Sequence, residues 1–390
     1  MSNKVLEQHI AVFGESGSGK TVLLSSFFGP TEEAGYGERN LFDIVADDAG
    51  QGNKLYQNYL GMKNSARVPE PNKFRSISYS FTVRRAKSLT RDPKNKPPFD
   101  ALRLVWHDYP GEWFEQDVSG EEADRRVEGF RSLLGSDVAL LLVDAQRLLD
   151  NAGQEEAYLK SLFRNYREGL GRLRDQILDD GKPLVAFPRI WMVALSKSDL
   201  IPEMDVHRLK ELVIEKSGDD LNRLRDTIAD MVQAPDALAV GEDFLLLSSA
   251  KFTPEEIEVT ERVGVDLILP IAAVLPFERH VHWVRAQQLP QKVAEELLNN
   301  ADKIATAMAF VAPFLSKVKL PGPMAAIGPF LARALSQDAI DKLVGMGRSK
   351  LEETKAEALS RHDYLTAVLT RFRIDLEDAE QERILLRSLK

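Results

Sequence analysis

The residue types best suited to chemistry fall in one run, Gly14-Glu15-Ser16-Gly17-Ser18-Gly19-Lys20-Thr21, which fits GxxxxGK[ST]. Glycines at this spacing let backbone N–H groups converge on a phosphate, and a helix opening at Lys20 adds positive potential there. Lys20 is the candidate catalytic charge for the β- and γ-phosphates, and the Thr21 hydroxyl is a candidate Mg²⁺ ligand. The whole stretch Glu15, Ser16, Gly17, Ser18, Gly19, Lys20, Thr21 and Val22 is the candidate phosphate-binding segment. A second group is Asp108-Tyr109-Pro110-Gly111. Asp108 can hold a water ligand of Mg²⁺, and Gly111 can present its N–H to the γ-phosphate. Two later tetrapeptides suit a purine base: Ser196-Lys197-Ser198-Asp199 and Ser248-Ser249-Ala250-Lys251. Asp199 can accept from both N1–H and N2–H₂ of guanine, a pair of donors that adenine lacks, while the Lys197 stem packs on the base. The Ala250 N–H, between Ser249 and Lys251, is placed to donate to guanine O6.

These groups need strands to hold them. His9–Gly14 is an apolar run stopped by the glycine-rich turn, and apolar residues resume over Lys20–Phe28, which reads as strand, loop, helix. Ile77, Tyr79, Phe81 and Val83 alternate with Ser78, Ser80 and Thr82, the pattern of a strand with one buried face. A second strand at Ala101–Trp106, reached through Asp92-Pro93 and Pro97-Pro98, predicts an antiparallel hairpin. Val138–Val143, Ile190–Leu195 and Phe244–Leu247 are continuous apolar runs, as expected of parallel strands covered on both faces. Helical stretches near 53–62, 121–134, 154–178 and 205–232 separate them. Strand-helix alternation predicts an α/β doubly wound sheet with ligand chemistry at the C-terminal strand ends.

The set GESGSGKT, DYPG, SKSD and SAK resembles the phosphate, metal and base boxes of the translation-factor-related (TRAFAC) P-loop GTPases, over roughly residues 5–285. The string Asp108–Trp113 (DYPGEW) is also similar to the YcjX-like bacterial GTPases. The resemblance implies a Ras-like G domain, with a mostly parallel sheet, one antiparallel strand and helices on both faces. It implies GTP and GDP as ligands, Mg²⁺ as cofactor and hydrolysis of GTP as a molecular switch. Three departures stand out. Ser196 replaces the usual Asn or Thr before the base-reading lysine, which predicts a weaker tether to the P-loop. The stretch between Thr21 and Asp108 is long, implying an insertion in the switch I region, and no Thr occurs from 32 to 81 to serve there as a metal ligand. Glu112 stands where many relatives carry Gln; it is either a group that orients the attacking water or a residue turned toward the following helix. Arg39, Arg67 and Arg75 are the arginines that could supply transition-state charge in cis.

The chain has 390 residues, 44% hydrophobic and 28% charged, enough for a large core. Its net charge of −9 argues against nucleic acid and anionic lipid as partners. Cysteine is absent, which removes thiolate chemistry and suits a reducing compartment; with no apolar leader at the start, the expectation is cytoplasmic. The boundary is expected near 285, with a nearly neutral helical unit over 286–390. Within it, 304–315 and 320–335 form two apolar arms, readable as a buried hairpin, a surface for partners or self-association, or a membrane-dipping element. Residues 347–390 read as a solvated helix face. A protein partner is expected through the switch regions or the C-terminal helices. A slow, nucleotide-holding scaffold and a mechanochemical membrane GTPase remain alternatives to the switch.

Overall fold

The computed structural model describes residues 5–70, 77–86, 101–108, 127, 130–131, 134–178, 181–185, 187–253, 256–286, 288, 293, 348–360 and 364–388. The strands are β1 (Val5–Phe13), β2 (Phe42–Ala46), β3 (Ile77–Arg85), β4 (Ala101–Asp108), β5 (Val138–Asp144), β6 (Ile190–Ser196), β7 (Ala239–Leu247), β8 (Lys251–Phe252), β9 (Ile257–Glu258) and β10 (Leu385–Leu386). Eight of them form one sheet in the order β10-β7-β6-β5-β1-β4-β3-β2, and β8 pairs with β9 apart from it. The five central strands, β7, β6, β5, β1 and β4, are parallel. β3 runs antiparallel to β4 and to β2, and β10 antiparallel to β7. The protein is thus α/β with a mostly parallel central sheet, and the expected β3-β4 pairing is present.

The sequence pattern explains the layering. β5 and β6 are buried at every position, so neither face of these strands meets water. One face packs on α1 (Lys20–Phe28), α3 (Ala49–Ser65), α7 (Ile268–Arg285) and α9 (Tyr364–Gln381), in a core that includes Ile10, Val12, Leu24, Leu140, Ile271 and Phe372. The other packs on α5 (Glu155–Ile177) and α6 (Val206–Ala229), around Phe13, Leu141, Phe163, Trp191 and Leu224. Three aspartates start helices. Asp48 accepts from Gln51 N–H, Asp144 from Gln146 N–H at the head of α4 (Ala145–Asp150), and Asp205 from the His207 and Arg208 N–H groups, all first-turn donors that a helix otherwise leaves open. β3 is half-buried, with Tyr79, Phe81 and Val83 inside, as its alternation predicts.

Three strands differ from expectation. β2 is an edge strand whose only buried residues are Phe42 and Ile44, too short an apolar signal among Asp43, Asp47 and Asp48. β7 begins five residues before the expected Phe244 because Gly241, at φ +68°, with Glu242 and Asp243, breaks the apolar run. At Gly241 a Cβ would lie 2.3 Å from the Leu221 side chain, so both the backbone and the space require glycine. β10 is two residues long.

The C-terminus also departs from a division at 285. Residues 304–335, the two apolar arms, lie outside the described residues, but 364–388 belong to the core of the first unit. Val368, Leu369, Phe372, Leu376, Ala379 and Leu385 are buried with the β1-β4 face, and Phe372 meets Phe42 edge-on at 5.6 Å between ring centroids. The charged stretch after 347 is therefore amphipathic rather than wholly solvated. Asp243 on β7, fully buried, accepts from Arg279 Nη2 on α7 at 2.5 Å and from the Ser388 N–H at 2.8 Å. Burial raises the Asp243 carboxyl above the usual carboxylate range, and Arg279 and then Ser388 pull it back. Among the described residues no helix is long and apolar enough to cross a membrane.

A chain ended near residue 300 loses α9 and β10, bares this core face and the β7 edge, and is expected to aggregate on expression; a soluble monomer with a cooperative thermal transition would contradict the packing. Arg279→Ala strands a buried carboxylate and is expected to cost about 3–5 kcal/mol in urea denaturation, whereas Asp243→Leu/Arg279→Met, which buries no charge, should cost markedly less.

Candidate functional site

The strand register gathers the candidate residues on one edge of the sheet. Asp108 pairs with Val12, one residue before the end of β1; Asp144 pairs with Ser196, and Ser196 with Leu247. The C-terminal ends of β1, β4, β5, β6 and β7 therefore face the same way, and the loops that follow them meet.

The loop after β1 has the geometry its sequence implies. Ser18 N–H donates to the Glu15 carbonyl at 3.2 Å, and Gly19 is the N-cap of α1. Gly17 and Gly19 sit at φ +82° and +89°, where side chains are strained, and a Cβ on either would have nothing within 4 Å, so the loop is open there. Lys20 is buried, and its Nζ donates to the Gly14 carbonyl at 2.5 Å and the Glu15 carbonyl at 3.1 Å, which sets the ammonium against the loop backbone. An open glycine loop closed by a helix N-terminus and a buried cation fits a phosphate chain. Thr21 lies in the first turn of α1 and Asp108 is buried on the strand beside β1. A hydroxyl and a carboxylate are hard oxygen donors of the kind Mg²⁺ takes. Burial and then the charge of Asp108 push the Tyr79 hydroxyl up to about 12. The Val22 side chain packs against the cluster of Tyr59, Met62, Ala250, Ile257 and Val259, so only its backbone is available to a ligand. Tyr109, Gly111 and Glu112 lie outside the described residues; of the helix expected over 121–134, residues 127, 130–131 and 134 are described, and they are helical.

The two loops expected to read a base touch. Asp199 Oδ1 is 2.7 Å from the Ser248 hydroxyl, and Oδ2 accepts from the Phe252 N–H at 3.4 Å. A carboxylate offers about four lone-pair sites, so these two contacts fix its plane and leave acceptor capacity. Ser26 on α1 donates to the Ser249 carbonyl at 2.6 Å, and Arg262 donates to the Ser26 carbonyl at 2.8 Å, which ties the second loop to the P-loop helix. Ala250 is fully buried, while Lys251 is exposed and paired with Glu261 at 3.1 Å. Lys197 sits at φ +55°, and its Nζ lies 2.7 Å from Asp144 Oδ2. The Ser196 hydroxyl donates to the Val143 carbonyl at 3.3 Å and so braces β6 to β5.

The expected switch I region folds as a 3-10 turn (Gly29–Glu32), α2 (Tyr36–Asn40), β2 and α3. Thr31 donates to the Phe28 carbonyl at 2.7 Å within that turn. Arg39 and Arg67 are exposed, and Arg39 Nη1 donates to the Ala34 carbonyl; Arg75 is outside the described residues. Among the described residues an arginine that reaches this loop is Arg147 on α4, 3.2 Å from Glu15 Oε2 and donating to the Ser16 carbonyl at 3.3 Å. Asp144 and Arg147 carry no motif of their own; the signal is their i, i+3 spacing directly after a buried strand. Burial raises the Tyr158 and Tyr166 hydroxyls, and the nearby Glu15 charge raises both further. A separate cavity of about 520 Å³ lies beside α2 and α9, lined by Tyr36, Arg39, Phe42, Arg262, Arg371 and Phe372. It includes no P-loop residue.

A polar chain borders Asp108. Ser78 Oγ is 2.9 Å from His107 Nδ1, His107 Nε2 is 3.0 Å from His9 Nδ1, and His9 Nε2 is 2.9 Å from Glu7 Oε1. With both rings neutral, one set of proton positions satisfies every contact: Ser78 donates to His107, His107 to His9, and His9 to Glu7. Burial, and then His9, lower the His107 pKa from 6.5 to about 4. A depressed folded pKa means the folded state takes up its proton later than the unfolded chain, so this contribution is whole above about 6.5 and lost as pH falls toward 4. The unfolding free energy from urea titrations is expected to drop across that window, by about 3 kcal/mol at most for this group, and His107→Gln should flatten the fall.

No protein-family model and no curated protein matches this chain.

Proposed function

We propose that the protein is a Mg²⁺-dependent guanine-nucleotide-binding protein, a Ras-like P-loop GTPase that hydrolyses GTP to GDP and phosphate as a switch for a protein partner. One observation carries the reading. Asp199 and Ser248, 49 positions apart, meet at 2.7 Å, and Ser249 is bonded to Ser26 on the helix that opens at Lys20. The two loops that suit guanine and the loop that suits phosphate are thus one assembly.

Each residue then has a distinct task. Asp199, held by Ser248 and the Phe252 N–H, accepts from N1–H and N2–H₂ of guanine, and the Ala250 N–H donates to O6. The N–H groups of the P-loop, with Lys20 beside the Gly14 and Glu15 carbonyls, bind the phosphate chain and meet the charge that grows as the γ-phosphoryl departs. Thr21 directly and Asp108 through a water ligand would hold Mg²⁺, which would supply charge neutralisation to the phosphates. Glu112 and Gly111 are the groups assigned to orient the attacking water and to contact the γ-phosphate.

The full chain is expected to bind GTP and GDP far more tightly than ATP, measured with fluorescent nucleotides in Mg²⁺. Asp199→Asn should weaken GTP by about a hundredfold and favour xanthine nucleotides, whose carbonyl accepts from the new amide. Equal affinity for ATP and GTP in the parent would remove the base assignment. Lys20→Ala and Asp108→Ala should each lower single-turnover hydrolysis by about 10²–10³. A parent that binds GTP but shows no turnover, unchanged by Glu112→Ala, would make the protein a nucleotide-holding scaffold instead.

A further inference from the structure

Arg147 sits one turn into α4, three residues after the Asp144 that caps it. Its guanidinium spans two groups of the P-loop at once, Glu15 Oε2 at 3.2 Å through Nη1 and the Ser16 carbonyl at 3.3 Å through Nη2. The Glu15 side chain is only 12% exposed, so solvent screens its charge poorly. An anion in that place repels a polyphosphate unless a cation answers it. A planar fork can meet a carboxylate and a carbonyl together, which a lysine ammonium does less well.

The Ser16 contact has a second effect. Across a trans peptide the carbonyl and the next N–H point opposite ways. Holding the Ser16 carbonyl on Arg147 therefore turns the Gly17 N–H to the other side of the loop, and Gly17, at φ +82°, tolerates the backbone this requires. The same helical turn reaches the base loop, because Asp144 holds Lys197 at 2.7 Å and its own N–H donates to the Tyr158 hydroxyl at 3.0 Å. α4 is a short strut between the two halves of the site.

We propose that Arg147 is a positioning residue for the nucleotide phosphates: it neutralises Glu15 and fixes the Ser16–Gly17 peptide with its N–H turned away from Arg147 and toward the ligand. The inference rests on the guanine-nucleotide reading above. It requires that loss of Arg147 harm GTP more than GDP, since GTP carries one more negative charge against a Glu15 anion that has lost the Arg147 guanidinium.

The test measures binding of fluorescent GDP and a non-hydrolysable fluorescent GTP analogue to the full chain with Mg²⁺, and GTP turnover at saturation. The variants are Arg147→Ala, Arg147→Lys, Glu15→Gln and Glu15→Gln/Arg147→Ala, each checked by thermal unfolding. Arg147→Ala should weaken the GTP analogue by about tenfold and GDP by clearly less. Adding Glu15→Gln should restore most of that affinity, while turnover stays below the parent because the Ser16 carbonyl is no longer held. Arg147→Lys should fall between parent and Arg147→Ala. If Arg147→Ala does not fold, Glu15→Gln alone decides, since leaving Arg147 uncompensated should raise affinity for the GTP analogue more than for GDP; a fall overturns the proposal. Equal losses for both nucleotides with no recovery in the double variant, or no loss at all, overturn it while the guanine reading stands. A parent that binds neither nucleotide ends both.

Discussion

The site depends on five parallel strands that finish at one edge. Parallel pairing with little stagger puts the ends of β1, β4, β5, β6 and β7 side by side, so residues far apart in the chain become neighbours without any long loop reaching across. That arrangement is available only because β5 and β6 are apolar at nearly every position and can be buried on both faces. Burial of the strands is the rigid part; the chemistry hangs from their ends. Each polar group at the edge then has to be answered locally, and the answers are the contacts that organise the loops: Lys197 on Asp144, Ser248 on Asp199, Lys20 on two carbonyls.

Charge sets a conflict there that the local contacts resolve. The chain is acidic overall, and its loop after β1 carries Glu15 beside the backbone proposed to meet an anion. Lys20 and Arg147 are the two described cations in contact with that loop, one from inside through carbonyls and one from α4 through the carboxylate and the Ser16 carbonyl. Their positions are interdependent. Lys20 is placed by the start of α1, which follows from Gly19 at positive φ, whereas Arg147 is placed by β5 and its Asp144 cap. The glycine-rich loop of an acidic protein is thus held between two independently anchored helices.

How much of this was readable in the sequence follows from how locally each feature is encoded. The strand-loop-helix at 5–28 and the central strands were legible because glycine spacing and continuous apolar runs are short-range signals. The half-buried β3 was legible by alternation, with Ser78, Ser80 and Thr82 facing the polar side. β2 was not, since two apolar residues among aspartates do not distinguish a strand, and its place comes from pairing with β3. Asp144 and Arg147 were missed for a related reason: their partners, Lys197, Glu15 and Ser16, are remote in sequence, and the one local signal, their i, i+3 spacing after a buried strand, names no partner. The arginines that looked better placed, Arg39 and Arg67, are exposed, and Arg39 donates to the Ala34 carbonyl.

The closing of the chain on itself shows the limit of reading boundaries from composition. Helical patterning after 285 suggests a separate unit, yet a sheet of this order ends in β7 unless something covers its edge. β10 does so with two residues, and they are held in place by more than their own pairing. Arg387 bonds Glu278 on α7 at 2.9 Å and Glu380 on α9 at 2.7 Å, and Ser388 bonds the buried Asp243. At the opposite edge Phe372 covers Phe42 of β2, and Arg371 donates to the Arg39 carbonyl at 2.8 Å. One helix, α9, therefore packs against both margins of the sheet. The margins include β7, which leads into Ser248, and β2, which belongs to the segment between the P-loop helix and β3. An exposed edge strand invites pairing with another chain, so the last described residues protect the core that carries the site, and a boundary at 285 does not divide that core.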